Sequence, residues 1–421
     1  MAGHIQDRWF KDEKGADGKT RRVKTDRHGT GLRYRARYVG PDGTEKSKSF
    51  PDRQKRLAEQ WLTSIEADMA RGEFIDPKVG RTTFQQYAER WIAAQTTDVA
   101  TRTGAESRIR LHAFPYIGAR PLGSFQPEHI REWLRKLEDA GLAASTRRTI
   151  YANVSAVFTA AVDDRLISRN PFRAASVKAP TLASKRVRPW SADQVFAVRE
   201  ALPAHYRALV DVGGGCGLRQ GEIFGLPVDE VGFLTGWLHV GYQVKLIGGR
   251  AVFAPPKRGK VRDVPLPERV SRALAAHMEA FPPQEVTLPW ETLTGPPVTK
   301  RLIFTTEEAK AVGRHYFNTA SWKPALIAAG IIPEPEPGER PQESREDGMH
   351  ALRHFYASVL LDAGENIKAL SGYLGHADPG FTLRTYTHLM PSSESRTRKA
   401  VDNVYRAFGE APDGPQTAQA A

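Results

Sequence analysis

The feature that most constrains this chain is a basic segment that interrupts its domains. Residues 172–189 contain three arginines and two lysines but no acidic residue. Like charges in such a stretch repel one another and extend the backbone, so the composition predicts a linker. The chain of 421 residues is therefore expected to fold as separate domains on either side of it, and the length suffices for two or three.

A strand with a cationic face is predicted near the N-terminus. Residues 32–39 alternate strictly, which places Arg33, Arg35 and Arg37 on one face and two tyrosines and an alanine on the other. Residues 1–60 carry 16 Lys/Arg against 9 Asp/Glu, so the surroundings of the strand are also basic. We expect the arginine face to contact DNA, and the alternative is a solvated charged strand.

The rest of residues 1–72 is predicted to complete a small domain. A turn at residues 41–43 and a second strand through Phe50 would form a β-hairpin with the first strand. Residues 53–71 have the apolar spacing of an amphipathic helix, with Leu57 on the buried stripe and Asp52 as N-cap. Residues 73–82 are predicted to be a linker.

Residues 83–171 follow a helical pattern, beginning with a helix that Thr83 caps. Arg147 and Arg148 fall in the first turn of the last helix, where positive charge opposes the helix dipole. A bound phosphate would offset that conflict, so we expect both to contact DNA, together with Lys185 and Arg186 of the linker. The predicted helices cover residues 84–94, 101–113, 127–140 and 145–164.

A larger domain is predicted over residues 190–408, with Ser191 capping its first helix and a short hairpin around 237–266. Residues 409–421 have the composition of a disordered tail. The predicted fold class is therefore a multidomain chain, mainly α-helical with small β-sheets: a hairpin and helix first, then a helical domain, then a mixed α/β domain.

Composition narrows the function classes. The formal net charge of +13 favours a polyanionic partner such as nucleic acid over a merely basic protein. Cys216 is the only cysteine, so neither an intramolecular disulfide nor a cysteine zinc site can form. The polar N-terminus predicts no signal peptide, and the lack of a long apolar run predicts no membrane span. A cytoplasmic, DNA-associated protein is expected.

Two motifs that contain basic residues provide the first candidate catalytic residues of the last domain. Arg219 and Glu222 in CGLRQGEIFGL share a face if a helix begins near residue 218, so Glu222 could orient Arg219. An isolated pair of this kind is more often a surface ion pair. Lys257 lies on the predicted hairpin turn of APPKRGKVRDVPL, and Lys260 on the same turn competes with it.

Histidines and a tyrosine follow. His350 and Arg353 are three residues apart on a predicted amphipathic helix, HALRHFYASVLLDAG. His354 lies four residues after His350, a spacing that metal ligands on one helix face use, but a zincin motif would need Glu where Ala351 stands, so no metal site is predicted. His376 follows a helix in YLGHADPG, and Tyr386 comes ten residues later in TLRTYTHL.

Taken in this order, GLRQGEIFGL, PKRGKVRDVPL, HALRH, LGH and TLRTYTHL resemble the tyrosine recombinase family, the phage-type integrases. The resemblance covers residues 190–408 as catalytic domain. It extends to residues 1–72 as an arm-type DNA-binding domain and to 83–171 as a helical, SAM-like core-binding domain. A predicted helix over residues 392–408 would, in this family, dock on a neighbouring subunit, and packing on its own domain is the alternative.

The resemblance implies roles for the motif residues. Tyr386, rather than Tyr373 or Tyr356, would attack a DNA phosphorus and form a 3′-phosphotyrosine. Arg219 and Arg353 would bind the non-bridging oxygens, supported by Glu222. His350 would accept the tyrosine proton or hold the phosphate. His376 would hydrogen-bond a phosphate oxygen, and Lys257 would protonate the leaving 5′ oxygen.

The resemblance also implies partners. The substrate would be double-stranded DNA with core and arm sites, bound by a homotetramer, and neither metal nor ATP would be required. A DNA-bending protein and an excision factor are candidate partners whose need the residues leave open. The alternatives are a DNA-binding regulator without chemistry, a type IB topoisomerase and a metal-dependent hydrolase. The intact motif set disfavours the regulator, the basic N-terminal block disfavours the topoisomerase, and the single cysteine disfavours the hydrolase.

Overall fold

The computed structural model describes residues 3–14, 18–40, 43–71, 74, 81–182, 187–336, 346–386 and 394–406. The chain separates into two compact units, residues 1–183 and 184–421. The predicted DNA contacts Lys185 and Arg186 lie outside the described residues, as do most of the linker predicted over 73–82 and the tail predicted over 409–421.

In the N-terminal part of the first unit, the described residues form two small sheets and one helix. Its elements are β1 (His4–Asp7), β2 (Phe10–Lys14), β3 (Thr20–Lys24), β4 (Tyr34–Val39), β5 (Glu45–Phe50) and α1 (Lys55–Ala70). β4 lies between β1 and β5 in an antiparallel sheet, while β2 and β3 form a separate hairpin. The predicted pairing of β4 with β5 is confirmed, and β1, β2 and β3 were not predicted.

The alternation of β4 buries the face that was predicted to be apolar. Tyr34, Ala36 and Tyr38 pack in one core with Leu62 and Ile65 of α1, while the arginines lie on the other face. The burial follows from the period of two along a strand, because it turns every second side chain toward the helix.

Two details of this region were predicted wrongly. Asp52 does not cap α1, since the helix begins two residues later, after Gln54, and the Asp52 carboxylate instead accepts a hydrogen bond from Arg33. Leu57 is half exposed, because Ala58 occupies the buried position in that turn. An ion pair with the strand has displaced the local capping interaction.

The second part of the first unit is helical. Thr83 caps α2 in a reciprocal capping box with Gln86, as the sequence predicts. The core contains Phe84, Trp133 and Phe158 among its largest side chains. The helices are α2 (Phe84–Ala93), α3 (Val99–His112), α4 (Phe114–Ile117), α5 (Pro127–Asp139) and α6 (Ala144–Asp163), with 3-10 turns at Leu122–Ser124 and Pro171–Arg173.

The first part of the basic segment packs instead of extending. Phe172 and Val177 are buried in the core of the helical domain, and Asn170 caps the 3-10 turn that carries Phe172. The apolar area that these side chains remove from water outweighs the charge pattern on which the prediction of a linker beginning at residue 172 rested.

The described part of the second unit mixes helices with three small sheets. Its helices are α7 (Ala192–Ala201), α8 (Ala204–Cys216), α9 (Gln220–Phe224), α10 (Glu268–Ala280), α11 (Arg314–Phe317), a π-helical turn (Asn318–Trp322), α12 (Lys323–Ala328), α13 (His350–Asp362), α14 (Ile367–Leu374), α15 (Pro379–Tyr386) and α16 (Glu394–Arg406). Ser191 caps α7 in a capping box with Gln194, as predicted. The helix predicted over 392–408 corresponds to α16.

The strands of this unit correct the predicted hairpin. They are β6 (Val231–Gly232), β7 (Trp237–Val240), β8 (Gln243–Ile247), β9 (Arg250–Ala254), β10 (Arg262–Pro265), β11 (Gln284–Pro289) and β12 (Pro297–Leu302). β9 pairs with β8, whereas β10 pairs with β7, so these two strands belong to different sheets. The segment between them, with a 3-10 turn at Lys257–Gly259, connects two sheets and is not a hairpin tip.

Two glycines with positive φ bring the site elements close together. Gly217 ends α8 at φ 66°, and a Cβ there would lie 2.3 Å from the ring of Tyr356. Gly375 ends α14 at φ 61°, where a Cβ would lie 3.1 Å from the Arg262 side chain. Both positions favour glycine on conformational and steric grounds, and each leaves its carbonyl oxygen available to an arginine described below.

Candidate active site

Arg219 is held by the carboxylate that was predicted to orient it. Helix α9 begins one residue after Arg219, so Glu222 reaches back to the Arg219 main-chain N–H (2.8 Å) and also accepts from its Nη1 (2.8 Å). The predicted pairing is therefore present, although the helix starts later than residue 218. Arg219 Nη2 also donates to the Gly375 carbonyl oxygen at 3.3 Å.

Arg262 is a further arginine of this cluster that was not predicted from the sequence. From β10 it donates two hydrogen bonds to Glu222, at 3.1 and 2.8 Å, and a third to the Tyr373 carbonyl oxygen at 2.7 Å. Its strand position next to the basic turn was visible, but nothing in local spacing links it to Glu222, which lies 40 residues away. The contact is therefore made by the tertiary packing, which also places β10 beside α14 and its Tyr373 carbonyl.

Glu222 is the buried anion between these two arginines, with a fully buried side chain. Burial by itself would raise its pKa. The hydrogen bonds and charge of Arg262, with the charge of Arg219, more than offset this and lower the pKa of Glu222 to about 2. The carboxylate is therefore charged throughout the physiological range and can hold both guanidinium groups in place.

Arg353 is almost completely buried and is fixed by main-chain carbonyls. It projects from α13 and donates to the carbonyl oxygens of Gly217 (2.7 Å) and Leu374. Burial, with the nearby charge of Arg219, lowers the pKa of Arg353 to about 9. The group remains cationic at neutral pH, in a position where an incoming anion would relieve its desolvation.

Tyr386 is the last residue of α15, and its side chain is 1% exposed. Its hydroxyl lies 2.7 Å from Nδ1 of His354. Burial raises the pKa of Tyr386 to about 12, although Arg353 and Arg219 are near enough to act in the opposite direction. The hydroxyl is thus protonated at neutral pH and within electrostatic reach of both arginines. The Thr-His-Leu that follows it in sequence lies outside the described residues.

The structure distinguishes two histidines of α13 that differ by one turn. His350, which is predicted to accept the tyrosine proton or to hold the phosphate, is exposed, and its ring lies edge-on to the ring of His354 at 4.7 Å. His354 was considered only as a metal ligand and dismissed, yet it is the one that contacts the tyrosine hydroxyl. Its i+4 spacing from His350 was the signal that placed it on the same face.

His376 follows Gly375 at the end of α14. Its Nδ1 lies 2.7 Å from the hydroxyl oxygen of Thr382 in α15, which fixes the ring on the helix that carries Tyr386. Burial and the positive charges of Arg353, Arg219 and Arg262 lower the pKa of His376 to about 3. The ring is neutral at physiological pH, so one nitrogen can donate a hydrogen bond and the other can accept one.

The two competing lysines lie together on the segment between β9 and β10. Lys257 and Lys260 are both exposed, and Arg258 between them has a positive φ of 64°. Because β10 carries Arg262, this segment emerges next to the Glu222 cluster. The contacts of the described residues do not separate the two lysines.

The predicted DNA contacts of the first unit have partners within the protein. Arg33 is bound to Asp7 and Asp52, both at 2.9 Å, and Arg37 to Glu45 at 2.9 Å. Arg35 donates to the Ser47 hydroxyl at 2.9 Å. The helical domain shows the same: Arg147 pairs with Glu138 at 2.8 Å, and Arg148 donates to the Pro180 carbonyl at 3.1 Å.

Metal-ligand groups and membrane-spanning helices are two further features on which the described residues give evidence. The described residues contain no group of three or more His, Cys, Asp or Glu side chains arranged to hold a metal ion. Within the same residues, every helix is too short or too polar to cross a membrane.

Comparison with known families agrees with the geometry. Residues 84–178 match the phage integrase central domain, and residues 185–392 match the phage integrase family. The chain therefore belongs to the phage integrase family of tyrosine recombinases, which makes it an enzyme of site-specific DNA recombination.

Individual relatives have low sequence identity to this chain but match a large part of its length. The integrase of Mycobacterium phage D29 is 26% identical over 377 residues, which cover 86% of this chain and 91% of the relative. A XerC-like tyrosine recombinase of Caldanaerobacter subterraneus subsp. tengcongensis is 25% identical over 66% of this chain and 70% of its own.

Solved structures share the fold. The Tn1549 transposon integrase in complex with a circular intermediate DNA has a TM-score of 0.62 at 19% identity, covering 76% of this chain and 99% of that one. A lambda integrase tetramer bound to a Holliday junction has a TM-score of 0.52 at 17% identity, covering 82% and 93%. The predicted multidomain fold class is thereby confirmed.

Proposed function

We propose that this chain cuts and rejoins DNA through a 3′-phosphotyrosine on Tyr386, without metal or ATP. One observation carries the proposal: a buried tyrosine hydroxyl lies within the charge field of Arg219 and Arg353 and touches a histidine nitrogen. A covalent nucleophile conserves the energy of the broken phosphodiester, so the same bond can later be resealed.

Arg219 and Arg353 are assigned to stabilising the negative charge that develops in the transition state. The pentacoordinate phosphorus gathers negative charge on its non-bridging oxygens, and fixed guanidinium groups stabilise that charge without reorganising. Arg219 is oriented by Glu222, and Arg353 is oriented by two carbonyls, so both are positioned before DNA arrives. Because these cations supply the positive charge, the step is proposed to need no Mg²⁺.

The remaining roles concern protons. His376 is placed to hydrogen-bond a phosphate oxygen, with its ring fixed by Thr382. Lys257 is assigned as the acid that protonates the leaving 5′ oxygen, since its exposed segment can enter a DNA groove, and Lys260 is the competing candidate. His350 is exposed and is assigned to the phosphate rather than to the tyrosine.

The partners are proposed to be those of related integrases. Double-stranded DNA would be held by core contacts of residues 83–171, including Arg147 and Arg148, by Lys185 and Arg186, and by arm contacts of residues 1–72. The lambda integrase tetramer on a Holliday junction supports a tetramer here. A bending protein and an excision factor would act as further partners in the cytoplasm of a bacterial host.

Covalent trapping tests the proposal. The probe is duplex DNA that spans the flank of the protein's own gene, nicked so that the cleaved strand loses its 5′ end by diffusion. Incubation in EDTA followed by SDS should give a slow band that protease removes. Tyr386→Phe should abolish the band while DNA binding stays nearly unchanged.

Tyr316→Phe is the matched control, because this tyrosine is 63% exposed on α11, outside the cluster. It should form the band normally. A band that survives in Tyr386→Phe would move the nucleophile to another residue such as Tyr373. If the unmutated protein binds the nicked DNA and gives no band, two readings stand: a regulator without chemistry, or an integrase that lacks its partner protein or its true site.

A further inference from the structure

His354 and His350 occupy one face of α13, and among the contacts of the described residues it is His354 that touches the nucleophile. Its Nδ1 lies 2.7 Å from the Tyr386 hydroxyl oxygen, and its ring centroid lies 5.6 Å from the tyrosine ring. His350 is exposed, and its ring centroid lies 4.7 Å from that of His354. The group nearest the proton that must leave is therefore His354.

We propose that His354 receives the hydroxyl proton of Tyr386 during strand cleavage, which makes it a catalytic residue. This role rests on the function proposed above. It differs from the assignment of the tyrosine proton to His350 that the motif pattern implies.

The proposed step balances in atoms and charge. The bond between the Tyr386 oxygen and phosphorus forms, and the bond from phosphorus to the 5′ oxygen breaks. The tyrosine proton moves to Nδ1 of His354, and the 5′ oxygen takes a proton from the acid assigned to Lys257. In rejoining, the 5′ hydroxyl returns its proton to the group assigned to Lys257 and attacks phosphorus. The bond from phosphorus to the tyrosine oxygen breaks, and the imidazolium of His354 gives its proton to that oxygen.

The electrostatics provide a reason why the step waits for DNA. Burial, and then the charge of Arg353, lower the pKa of His354 to about 4, so the free protein holds a weak base. A DNA phosphate bound by Arg353 would neutralise the repulsion and raise the pKa of His354. The other groups facing His354 are His350 on its own helix, Tyr386 on α15 and His376 after α14.

Two glutamine variants separate the histidines. In His354→Gln the amide can still accept a hydrogen bond but cannot take up the proton, so a residue that only positions Tyr386 would be largely replaced. We expect covalent complex formation on nicked DNA to slow by about 100-fold or more, with DNA affinity unchanged. His350→Gln should keep the fall in cleavage rate at low pH, whereas His354→Gln should lose it.

A substrate with a sulfur leaving group tests whether the proton that His354 handles belongs to the attacking tyrosine or to the leaving group. In DNA with a 5′-bridging phosphorothiolate, the departing thiolate needs no protonation. Lys257→Ala should therefore be restored toward the unmutated rate on this substrate, while His354→Gln should remain slow. Restoration of His354→Gln would overturn the proposal, because its defect would then lie at the leaving group.

A measurement on the unmutated protein keeps the proposal testable if His354→Gln fails to fold or to bind DNA. The cleavage rate on phosphorothiolate DNA should fall as the pH is lowered, since protonated His354 cannot accept a proton. A rate that shows no fall as the pH is lowered through about 4 would overturn the proposal. Failure of the proposed function looks different, because the unmutated protein would then form no covalent complex on either substrate.

Discussion

The two best-defined groups of arginines in this protein are held in opposite ways. On the N-terminal sheet, Arg33 and Arg37 are each bound to carboxylates, and their side chains are 17% and 29% exposed. In the second unit, Arg219 and Arg262 share the single carboxylate of Glu222, and Arg353 is bound to main-chain carbonyls.

The difference lies in the charge that remains. Pairing with an acid leaves a sheet arginine nearly neutralised, which suits a role in holding the sheet together. Three guanidinium groups around one carboxylate leave an excess of positive charge in a desolvated place, and that excess is costly until an anion arrives. The arrangement of the second unit therefore suits the binding of a phosphate.

The largest expected effect comes from replacing a buried arginine with a shorter cation. In Arg353→Lys the ammonium cannot reach the carbonyls of Gly217 and Leu374 together, so cleavage at saturating protein should fall by about 100- to 1,000-fold. Single-turnover covalent trapping on nicked DNA measures the rate. Arg37→Lys should stay within about twofold. Equal losses in the two variants would abolish the distinction between the two groups.

The effect of intermediate size is on the free energy of unfolding, compared for one arginine variant from each group. Arg262→Met removes a cation from the buried pair with Glu222 and should destabilise the second unit by about 3 kcal/mol. Arg33→Met, which removes the cation from an ion pair on the N-terminal sheet, should destabilise the first unit by less. Hydrogen exchange of the full chain in increasing urea assigns each loss to its unit. A larger loss from Arg33→Met would show that the sheet depends on its ion pairs more than the site does.

The smallest effect concerns DNA affinity. Within the described residues the Arg35 guanidinium donates to a serine hydroxyl and to no carboxylate, so it is more available to a phosphate than Arg33 or Arg37 on the same face. Arg35→Gln should reduce the slope of log affinity against log salt by about 1, while Arg33→Gln, whose cation is occupied by Asp7 and Asp52, should change it by less than half as much. Filter binding at several salt concentrations measures the slope. Equal changes would mean that DNA displaces the acidic partners.

The elements that were predicted well depend on short spacings. Thr83 and Ser191 cap helices because the acceptor and the N–H groups lie within three residues of each other. The buried face of β4 follows from alternation, and the contact of Arg219 with Glu222 follows from a separation of three residues. Each can be derived from local backbone geometry without knowledge of the rest of the fold.

The elements that were missed depend on long separations. Asp52 was expected to cap a helix but is bound to Arg33 across the sheet. β9 and β10 were expected to pair but belong to different sheets, since pairing is decided by which strands the packed core brings together. Phe172 was placed in a linker because its charged neighbours dominate the local composition, whereas its burial is set by a distant core.

The sequence by itself determined the fold class, the order of the motifs and the set of residue types that a phosphoryl transfer through tyrosine requires. Only the tertiary structure decided which of those groups touch. It placed His354 rather than His350 on the Tyr386 hydroxyl, and it joined Arg262 to Glu222 across 40 residues. The physical reason is that hydrogen bonds and charge interactions act over a few ångströms in space, and the distance along the chain between their partners does not predict that separation.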